Sequence, residues 1–404
     1  MPPPTPDATS PRPADGRTRA AVFWLTASWA GLLVLAVVAL RLPGGLPNGG
    51  RVGFDRAVFV ATSVGTLTGF DTSFARLSDF TMPVRMILLA LTGSGLLLAL
   101  FGGGALLCRV LRSRRTDASV ALWTLAMIAV AGVVGVLAGP GDGVLTGVWR
   151  GLAALANLSA SVGPPFESER ASLWLLLYPL AAAGVMGPVV LAALFARDAV
   201  VRPARGRRPE DMAYAARCLR LLAALFLAGV AIFFVALLGG DAAPTAAGSI
   251  AALRQATSMA LGVHGFAATL APLSAWPRET VWLVIAFAVV GVGTPSAVGG
   301  FGVAWLWTLP AGRLRAALIY VGAYALVVLL GLVAVSRFDP TITGERLVLL
   351  VIGAATNVGI AFEPVSLTGP ALYWLSACMI AGRFLPLIAL IQMLDRRDAQ
   401  LRAT

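Results

Sequence analysis

Four short runs of the sequence each place a glycine a few residues after a weakly apolar segment, and these glycines recur at intervals of 94, 102 and 94 residues. Glycine adopts backbone angles closed to other residues, so a chain can turn its carbonyl oxygens toward one point and replace a cation's hydration shell. The regular spacing predicts four copies of one unit, although some of the 44 glycines would also align by chance. The predicted walls, called filter segments one to four, are Thr66, Leu67, Thr68 and Gly69; Ala160, Ser161, Val162 and Gly163; Gly262, Val263, His264 and Gly265; and Thr356, Asn357, Val358 and Gly359.

Acidic residues follow three of the four glycines. Asp71, Glu167 and Glu363 lie just beyond filter segments one, two and four, whereas segment three has no acid nearby. Three carboxylates around an outer pore mouth would raise the local concentration of cations. Taken alone, each of them could equally be an ordinary solvated loop acid.

The elements that must position these groups are apolar. The chain of 404 residues is 58% hydrophobic and 12% charged, which is the composition of a membrane protein. Runs long enough to cross about 30 Å of hydrocarbon, which takes about 20 helical residues, predict eight transmembrane helices. They cover residues 21–42, 82–108, 118–138, 171–196, 214–238, 280–309, 316–336 and 371–394.

Between these spans, on one side, lie four weakly apolar stretches that are too short to cross a membrane. A short helix can enter the membrane and return as extended chain only where its unpaired backbone groups line a wet cavity or are buried in protein. Four such hairpins predict re-entrant pore helices around a central pore, in an all-α polytopic membrane protein of four span–hairpin–span repeats. The stretches are residues 53–67, 144–158, 246–261 and 346–355.

The charge distribution predicts the orientation. The 31 basic residues outnumber the 19 acidic ones, and every basic residue is arginine. The arginine clusters flank the side opposite the hairpins, which predicts that this side and both termini are cytoplasmic. The basic excess is therefore interpreted as membrane topology rather than nucleic-acid binding. One His and three Cys offer no familiar metal site, and no catalytic constellation is present, so the sequence predicts neither a cofactor nor an enzyme.

Taken together, the motifs resemble those of the Trk/Ktr/HKT superfamily of potassium transporters. The local matches are the runs 66–70 and 354–359 for the first and fourth filters, 293–300 for an intramembrane gating loop, and 382–386 for a glycine–arginine motif. The resemblance covers nearly the whole chain after the first twenty residues. It implies potassium uptake through a channel-like pore in the cytoplasmic membrane.

The sixth span contains a predicted gate. Five glycines and Pro295 between residues 291 and 302 make a continuous helix improbable, and such a break is tolerated beside a cavity. A plain proline kink is the alternative. In the resembled family the gating loop lies beneath the filter. Arg383, in the middle of the last span, would by this resemblance be an electrostatic barrier below the filter. The alternative is that Arg383 is a structural cation. The predicted gate residues are Gly293, Thr294, Pro295, Ser296, Gly299, Gly300 and Arg383.

Two segments depart from the family pattern. Segment two lacks the usual Asn-Ala-Gly-Phe and is followed by two prolines, and His264 replaces a small residue in segment three. In the plant branch of the family a Ser at the first filter position accompanies sodium preference, whereas here all four aligned positions are glycine. By resemblance this favours potassium. A sodium-preferring or non-selective conductor and a non-conducting scaffold remain open alternatives.

The resemblance also implies partners. It predicts a homodimer in the lipid bilayer and a separate nucleotide-binding regulatory subunit on the cytoplasmic face, with the arginine-rich stretch 197–208 as a candidate contact; nucleotide would act only through that subunit. The predicted organisation is a disordered cytoplasmic tail at 1–20, repeats at 21–115, 116–210, 211–315 and 316–394, and a cytoplasmic tail at 395–404.

Overall fold

The protein is described by a computed structural model. The structure describes residues 14–46, 50–74, 79–111, 113, 116–139, 143–158, 171–195, 209–238, 246–262, 276, 278–291, 293, 296, 298, 302–308 and 314–403. In these ranges the secondary structure is helical apart from one isolated parallel bridge between Thr72 and Val365. The predicted all-α fold class is therefore confirmed.

The helices follow the hydropathy of the sequence. They are α1 Ala14–Arg41, α2 Phe54–Gly65, α3 Met82–Leu96, α4 Gly103–Val110, α5 Asp117–Ala138, α6 Val144–Ala156, α7 Tyr178–Phe195, α8 Pro209–Leu238, α9 Ala246–Gly262, α10 Arg278–Val290, α11 Leu314–Phe338, α12 Gly344–Ala355 and α13 Pro370–Ala403. Wider π-helical turns at Leu97–Gly102 and Leu173–Leu177 join α3 to α4 and lead into α7. A short 3₁₀ helix covers Ala304–Thr308.

Seven helical segments of the described chain are long and apolar enough to cross a membrane. They correspond to seven of the eight predicted spans and make the chain a multi-pass membrane protein. The predicted sixth span, residues 280–309, is divided: α10 ends at Val290, and the chain becomes helical again at Ala304. Gly291 follows α10 with a φ of +45°, a left-handed conformation that suits glycine and stops the helix there.

The helices form four units that close into a ring. In each unit the first span packs on the short helix that follows it, as α1 packs on α2 and α5 on α6. Each unit also contacts the next in one recurring way, between a helix of its second span and the neighbour's pore helix. These contacts are α3 with α6, α7 with α9, α10 with α12, and α13 with α2. This cyclic order is the arrangement expected of four parallel repeats.

Both ends of the chain lie at one end of the bundle. Arg19 near the start of α1 forms an ion pair with Asp395 of α13, with 2.7 Å between nitrogen and oxygen. Two departures from the predicted tails follow. Helix α1 already begins at Ala14, inside the stretch predicted as disordered, and α13 continues to Ala403, through the second predicted tail. Extending an existing helix costs far less than starting one, and alanine and arginine are good helix formers.

The outer surface is apolar and the interior is tightly packed. Large side chains on α5 and α11 are exposed, including Leu122, Val133 and Leu329, as expected for helices that face lipid. Inside, α5 and α6 approach so closely that a Cβ added to Gly151 would lie 1.8 Å from the carbonyl oxygen of Ala131. Small residues that bring backbones together are the usual basis of helix packing in membranes.

Candidate functional site

Filter segment one begins where α2 ends. Thr66 still bonds to the last turn of the helix, and Leu67 then takes a left-handed conformation with a φ of +61°. The amide groups of Thr68 and Gly69 both donate to the carbonyl oxygen of Ser63, at 2.9 and 3.1 Å. Gly69 has a φ of +73°, so a side chain there would strain the backbone. The chain thus leaves the pore helix through a tight and fully hydrogen-bonded turn.

Filter segment four repeats this turn. Asn357 has a φ of +55° and Gly359 a φ of +70°, the conformations of Leu67 and Gly69. The amide groups of Val358 and Gly359 donate to the carbonyl oxygen of Gly353, at 3.0 and 3.2 Å. Two segments far apart in the chain therefore have the same backbone fold in the register that the sequence predicts.

Segments one and four are in direct contact. The side-chain amide of Asn357 donates to Thr68 Oγ1 at 2.8 Å and to the carbonyl oxygen of Met379 at 3.0 Å. A Cβ added to Gly359 would lie 2.0 Å from the carbonyl oxygen of Thr68, so only glycine fits this approach. All of these filter residues are buried. The ring of four units therefore makes filter segments one and four neighbours.

Filter segment two requires a correction of register. Helix α6 ends at Ala156, and Asn157 has the left-handed φ of +53° found at Leu67 and Asn357. The amide of Leu158 donates to the carbonyl oxygen of Ala153, as in the other two turns. The turn therefore comes four residues earlier than the alignment on Gly163 predicts, and the sequence position that corresponds to Gly69 is Ser159. Aligning on glycine failed because this wall has a serine where the others have glycine. The predicted residues Ala160, Ser161, Val162 and Gly163 lie outside the described residues.

Filter segment three is described only at its beginning. The structure describes α9 as far as Gly262, the residue aligned with Thr66, which is still helical. Val263, His264 and Gly265 lie outside the described residues. Their assignment to the filter stays a prediction.

The negative charge at the predicted outer mouth is partly neutralised. The segments that follow filter segments one and four pair with each other, because the amide of Val365 donates to the carbonyl oxygen of Asp71 at 2.9 Å. Asp71 and Glu363 are both exposed near this pairing. Glu363, however, lies 3.7 Å from a guanidinium nitrogen of Arg346, and this exposed pair weakens its attraction for cations. Glu167 lies outside the described residues.

A second acid at this end has a structural role. Asp55 in the first turn of α2 accepts a hydrogen bond from the amide of Gly369 at 2.7 Å. Partial burial raises the pKa of Asp55, but hydrogen bonds from backbone amides and the charge of Arg56 lower this pKa by more, to below 3.8. The ionised side chain thus connects the first pore helix to the segment before α13.

Arg383 reaches the start of filter segment one. Its side chain is buried, and its Nε donates to the carbonyl oxygen of Thr66 at 2.9 Å, while a terminal guanidinium nitrogen contacts the same oxygen. The preceding residue, Gly382, lets α13 pack closely on the end of α12, since a Cβ there would lie 2.0 Å from the carbonyl oxygen of Ala355. A positive charge is therefore held against the end of the filter that adjoins the pore helix.

The predicted gate residues divide into described and undescribed ones. Gly293 and Ser296 are described, non-helical and buried, whereas Thr294, Pro295, Gly299 and Gly300 lie outside the described residues. The chain returns to α10 after residue 302, because the amide of Val303 donates to the carbonyl oxygens of Val289 and Val290. Gly291 and Val303 therefore both lie at the end of α10, which a plain proline kink would not allow.

Sequence reasoning missed two residues of the site. Asn157 donates through its side-chain amide to the carbonyl oxygen of Ala181, as Asn357 does to Met379. Matching Asn157 to Asn357 instead of glycine to glycine would have found it. Trp29 donates from Nε1 to the carbonyl oxygen of Gly65, at the end of α2. No local pattern marks this tryptophan, because its contact depends on how α1 packs on α2.

These features define a polytopic, all-helical membrane protein in which four units form a ring around converging hairpins. The structure is similar to the crystal structure of the potassium transporter TrkH from Vibrio parahaemolyticus, with a TM-score of 0.61 and 18% sequence identity over 90% of this chain and 84% of that chain. The chain therefore has a Trk-like fold, as the resemblance implied. No family model matches the sequence. No curated protein matches it either.

Proposed function

We propose that the protein takes up potassium ions across the cytoplasmic membrane through a pore lined by the four filter segments. One observation carries this proposal most directly. Segments one and four form the same left-handed turn at the ends of two pore helices and pack against each other. Such turns present backbone carbonyls in a fixed arrangement, which is the chemistry that replaces the hydration shell of a cation. The Trk-like fold supports the same assignment.

The filter acts through its backbone. A cation entering from the outer side would lose water as carbonyl oxygens of the four walls replace its hydration shell. The pore helices direct the negative ends of their dipoles toward the same region, which favours a cation there. In this proposal the walls are residues 66–69, 156–159, 262–265 and 356–359, with segment two in the corrected register.

Arg383 and the loop after α10 would then control passage. A buried positive charge against the Thr66 carbonyl opposes the presence of a cation at the inner end of the filter. The loop at residues 291–302 would obstruct the pore until it moves. Both assignments rest on the resemblance together with the described positions of Arg383, Ser296 and Val298.

The corrected register affects selectivity. A serine at position 159 gives wall two a side chain where walls one and four have glycine at positive φ. One altered wall favours weaker discrimination between potassium and sodium, so a poorly selective monovalent cation conductor is the second candidate function. A non-conducting scaffold is the third.

The assembly and location are part of the proposal. We infer a homodimer in the cytoplasmic membrane from the resemblance alone. Both termini are proposed to be cytoplasmic, since Arg19 and Asp395 pair at one end of the bundle and arginine clusters follow the spans on that side. A separate nucleotide-binding subunit would regulate transport, with residues 197–208 as its proposed contact.

Growth of a potassium-uptake-deficient bacterial strain at low external potassium tests the proposal. Expression of the protein is expected to restore growth, and a variant with Gly359→Leu is the control, because a side chain there meets the Thr68 carbonyl. Equal expression in the membrane fraction must be shown for both. Failure of the well-expressed wild-type protein to restore growth would count against potassium uptake.

A further inference from the structure

Helix α7 is broken in the middle by a conformation that only glycine adopts readily. Gly187 has a φ of +72° and a ψ of +169°, and Pro188 follows it. The combination interrupts the helical hydrogen bonds, so backbone groups at the break need other partners. In a buried helix of a membrane protein those partners must come from neighbouring protein segments.

Ser296 and Val298, which follow α10 in the chain, contact α7 at this break. A Cβ added to Gly187 would lie 2.3 Å from the carbonyl oxygen of Ser296. One turn earlier, the amide of Val298 donates to the carbonyl oxygen of Gly184 at 3.3 Å. A Cβ added to Gly184 would also lie 2.9 Å from a methyl group of Val298. Ser296 and Val298 are fully buried in this position.

The loop is held at its base as well. The amide of Val303 bonds to the end of α10, and the hydroxyl of Tyr320 on α11 donates to the carbonyl oxygen of Gly302 at 3.2 Å. The ring of Trp305 packs edge-on against the ring of Tyr320, with 5.1 Å between the ring centroids. Gly302 and Val303 are thus fixed on α10 and α11, whereas Ser296 and Val298 are held by their contacts with α7.

The same part of α7 also adjoins filter segment two. A Cβ added to Gly184 would lie 1.9 Å from the carbonyl oxygen of Leu155 and 3.0 Å from the side-chain amide of Asn157. Gly184 is therefore packed between the end of the second pore helix and Val298. Val298 is therefore held close to the end of the second pore helix.

We propose that Gly184 and Gly187 form a seat on α7 that holds Ser296 and Val298 in their buried positions. These glycines are positioning residues, because they contact Ser296 and Val298 and have no proposed contact with the transported ion. The importance of the seat for gating rests on the proposed transport function, whereas the seat itself does not. Weakening the seat should release Ser296 from its buried position and increase ion flux.

Thiol accessibility tests the seat without any transport measurement. Cys108, Cys218 and Cys378 are replaced by alanine, and Ser296→Cys introduces one thiol at a site that the seat buries. In purified protein in detergent, a charged methanethiosulfonate reagent should modify this thiol slowly. Adding Gly187→Ala should raise the modification rate about tenfold, as expected when the population in which the thiol is released rises by that factor.

Two further variants separate the seat from general damage. Gly132→Ala is the matched control, because its nearest atom, a methyl carbon of Val148, is 4.0 Å away, and it should leave the rate unchanged. Val298→Ala removes the methyl groups that contact Gly184 without altering α7, and it should also raise the modification rate. This variant keeps the test possible if the Gly187→Ala protein does not fold. Equal rates in the Gly187→Ala, Val298→Ala and Gly132→Ala proteins would overturn the seat.

A flux measurement then tests the link to gating. In protein that conducts, Gly187→Ala should increase flux when the loop is intact and should have no further effect once residues 294–298 are shortened. An equal decrease in both backgrounds would mean that the glycine only supports α7. Absence of all flux with rapid thiol modification in the Gly187→Ala protein would contradict the proposed function and leave the seat supported.

Discussion

Asn157 and Asn357 occupy the same position in two filter walls: both are left-handed, and the side-chain amide of each donates at 3.0 Å to a backbone carbonyl of the span that follows. By this equivalence, the sequence position of wall two that corresponds to Gly69 is Ser159. Alignment of the sequence on glycines places it at Gly163 instead. The two registers make opposite predictions about selectivity.

Ser159→Gly should increase the preference for potassium over sodium, because it restores the residue that walls one and four have at this position. Gly163→Ser should leave the preference unchanged. The measurement is the ratio of potassium to sodium uptake rates in liposomes. A loss of preference in Gly163→Ser, with no change in Ser159→Gly, would favour the glycine register.

Asn357→Leu tests the link between walls one and four. Leu67 has the same backbone conformation in wall one, so leucine is tolerated at this φ, while the bonds to Thr68 and Met379 are lost. Loss of such buried bonds costs about 1–3 kcal/mol, which should lower the apparent Tm in detergent by several degrees. Among the described residues, the side-chain amide of Asn157 bonds to Leu155 and Ala181 and to no other wall, so Asn157→Leu should preserve selectivity, whereas Asn357→Leu should reduce it. Unchanged Tm and selectivity in Asn357→Leu would show that the bond between the walls has no role.

Arg383→Gln should raise potassium flux, because it removes the positive charge that lies against the Thr66 carbonyl. Arg383→Lys retains a charge and should keep flux low. Arg337→Gln removes an exposed arginine at the end of α11 and serves as the control for net charge. Initial rates of rubidium uptake measure the effect, and equal rates in Arg383→Gln and wild type would refute the barrier.

Asp55→Asn should destabilise the outer end of the protein in a pH-dependent way. Because the pKa of Asp55 is lowered in the folded protein, its ionised form contributes stability above pH 3.8, and this contribution is lost as the pH falls through the lowered value. The variant should therefore unfold at a lower temperature than wild type at pH 7, and the difference should shrink below pH 4. Asp71→Asn, whose side chain is exposed, should show no such difference. A constant difference across this pH range would contradict the role of the charge.

The sequence predicts the spans well and the filter only in part. Hydropathy along a chain is sufficient to locate membrane helices, and the glycines after α10 correctly predict that the sixth span is interrupted. The position of wall two depends on where α6 ends, and Ser159 removes the glycine signal on which the alignment depended. Contacts such as that of Trp29 with Gly65, or of Arg346 with Glu363, join elements whose packing the sequence alone does not reveal.

The most direct test of the central claim is rubidium uptake into liposomes that contain the purified protein, with and without excess sodium outside. Uptake is expected to be well above that of protein-free liposomes and resistant to sodium. Gly69→Ser should be less resistant to sodium, because the positive φ of residue 69 disfavours a side chain. Uptake that sodium abolishes in the wild-type protein would show a sodium-preferring conductor. Uptake no greater than in protein-free liposomes, from correctly folded protein, would contradict the account.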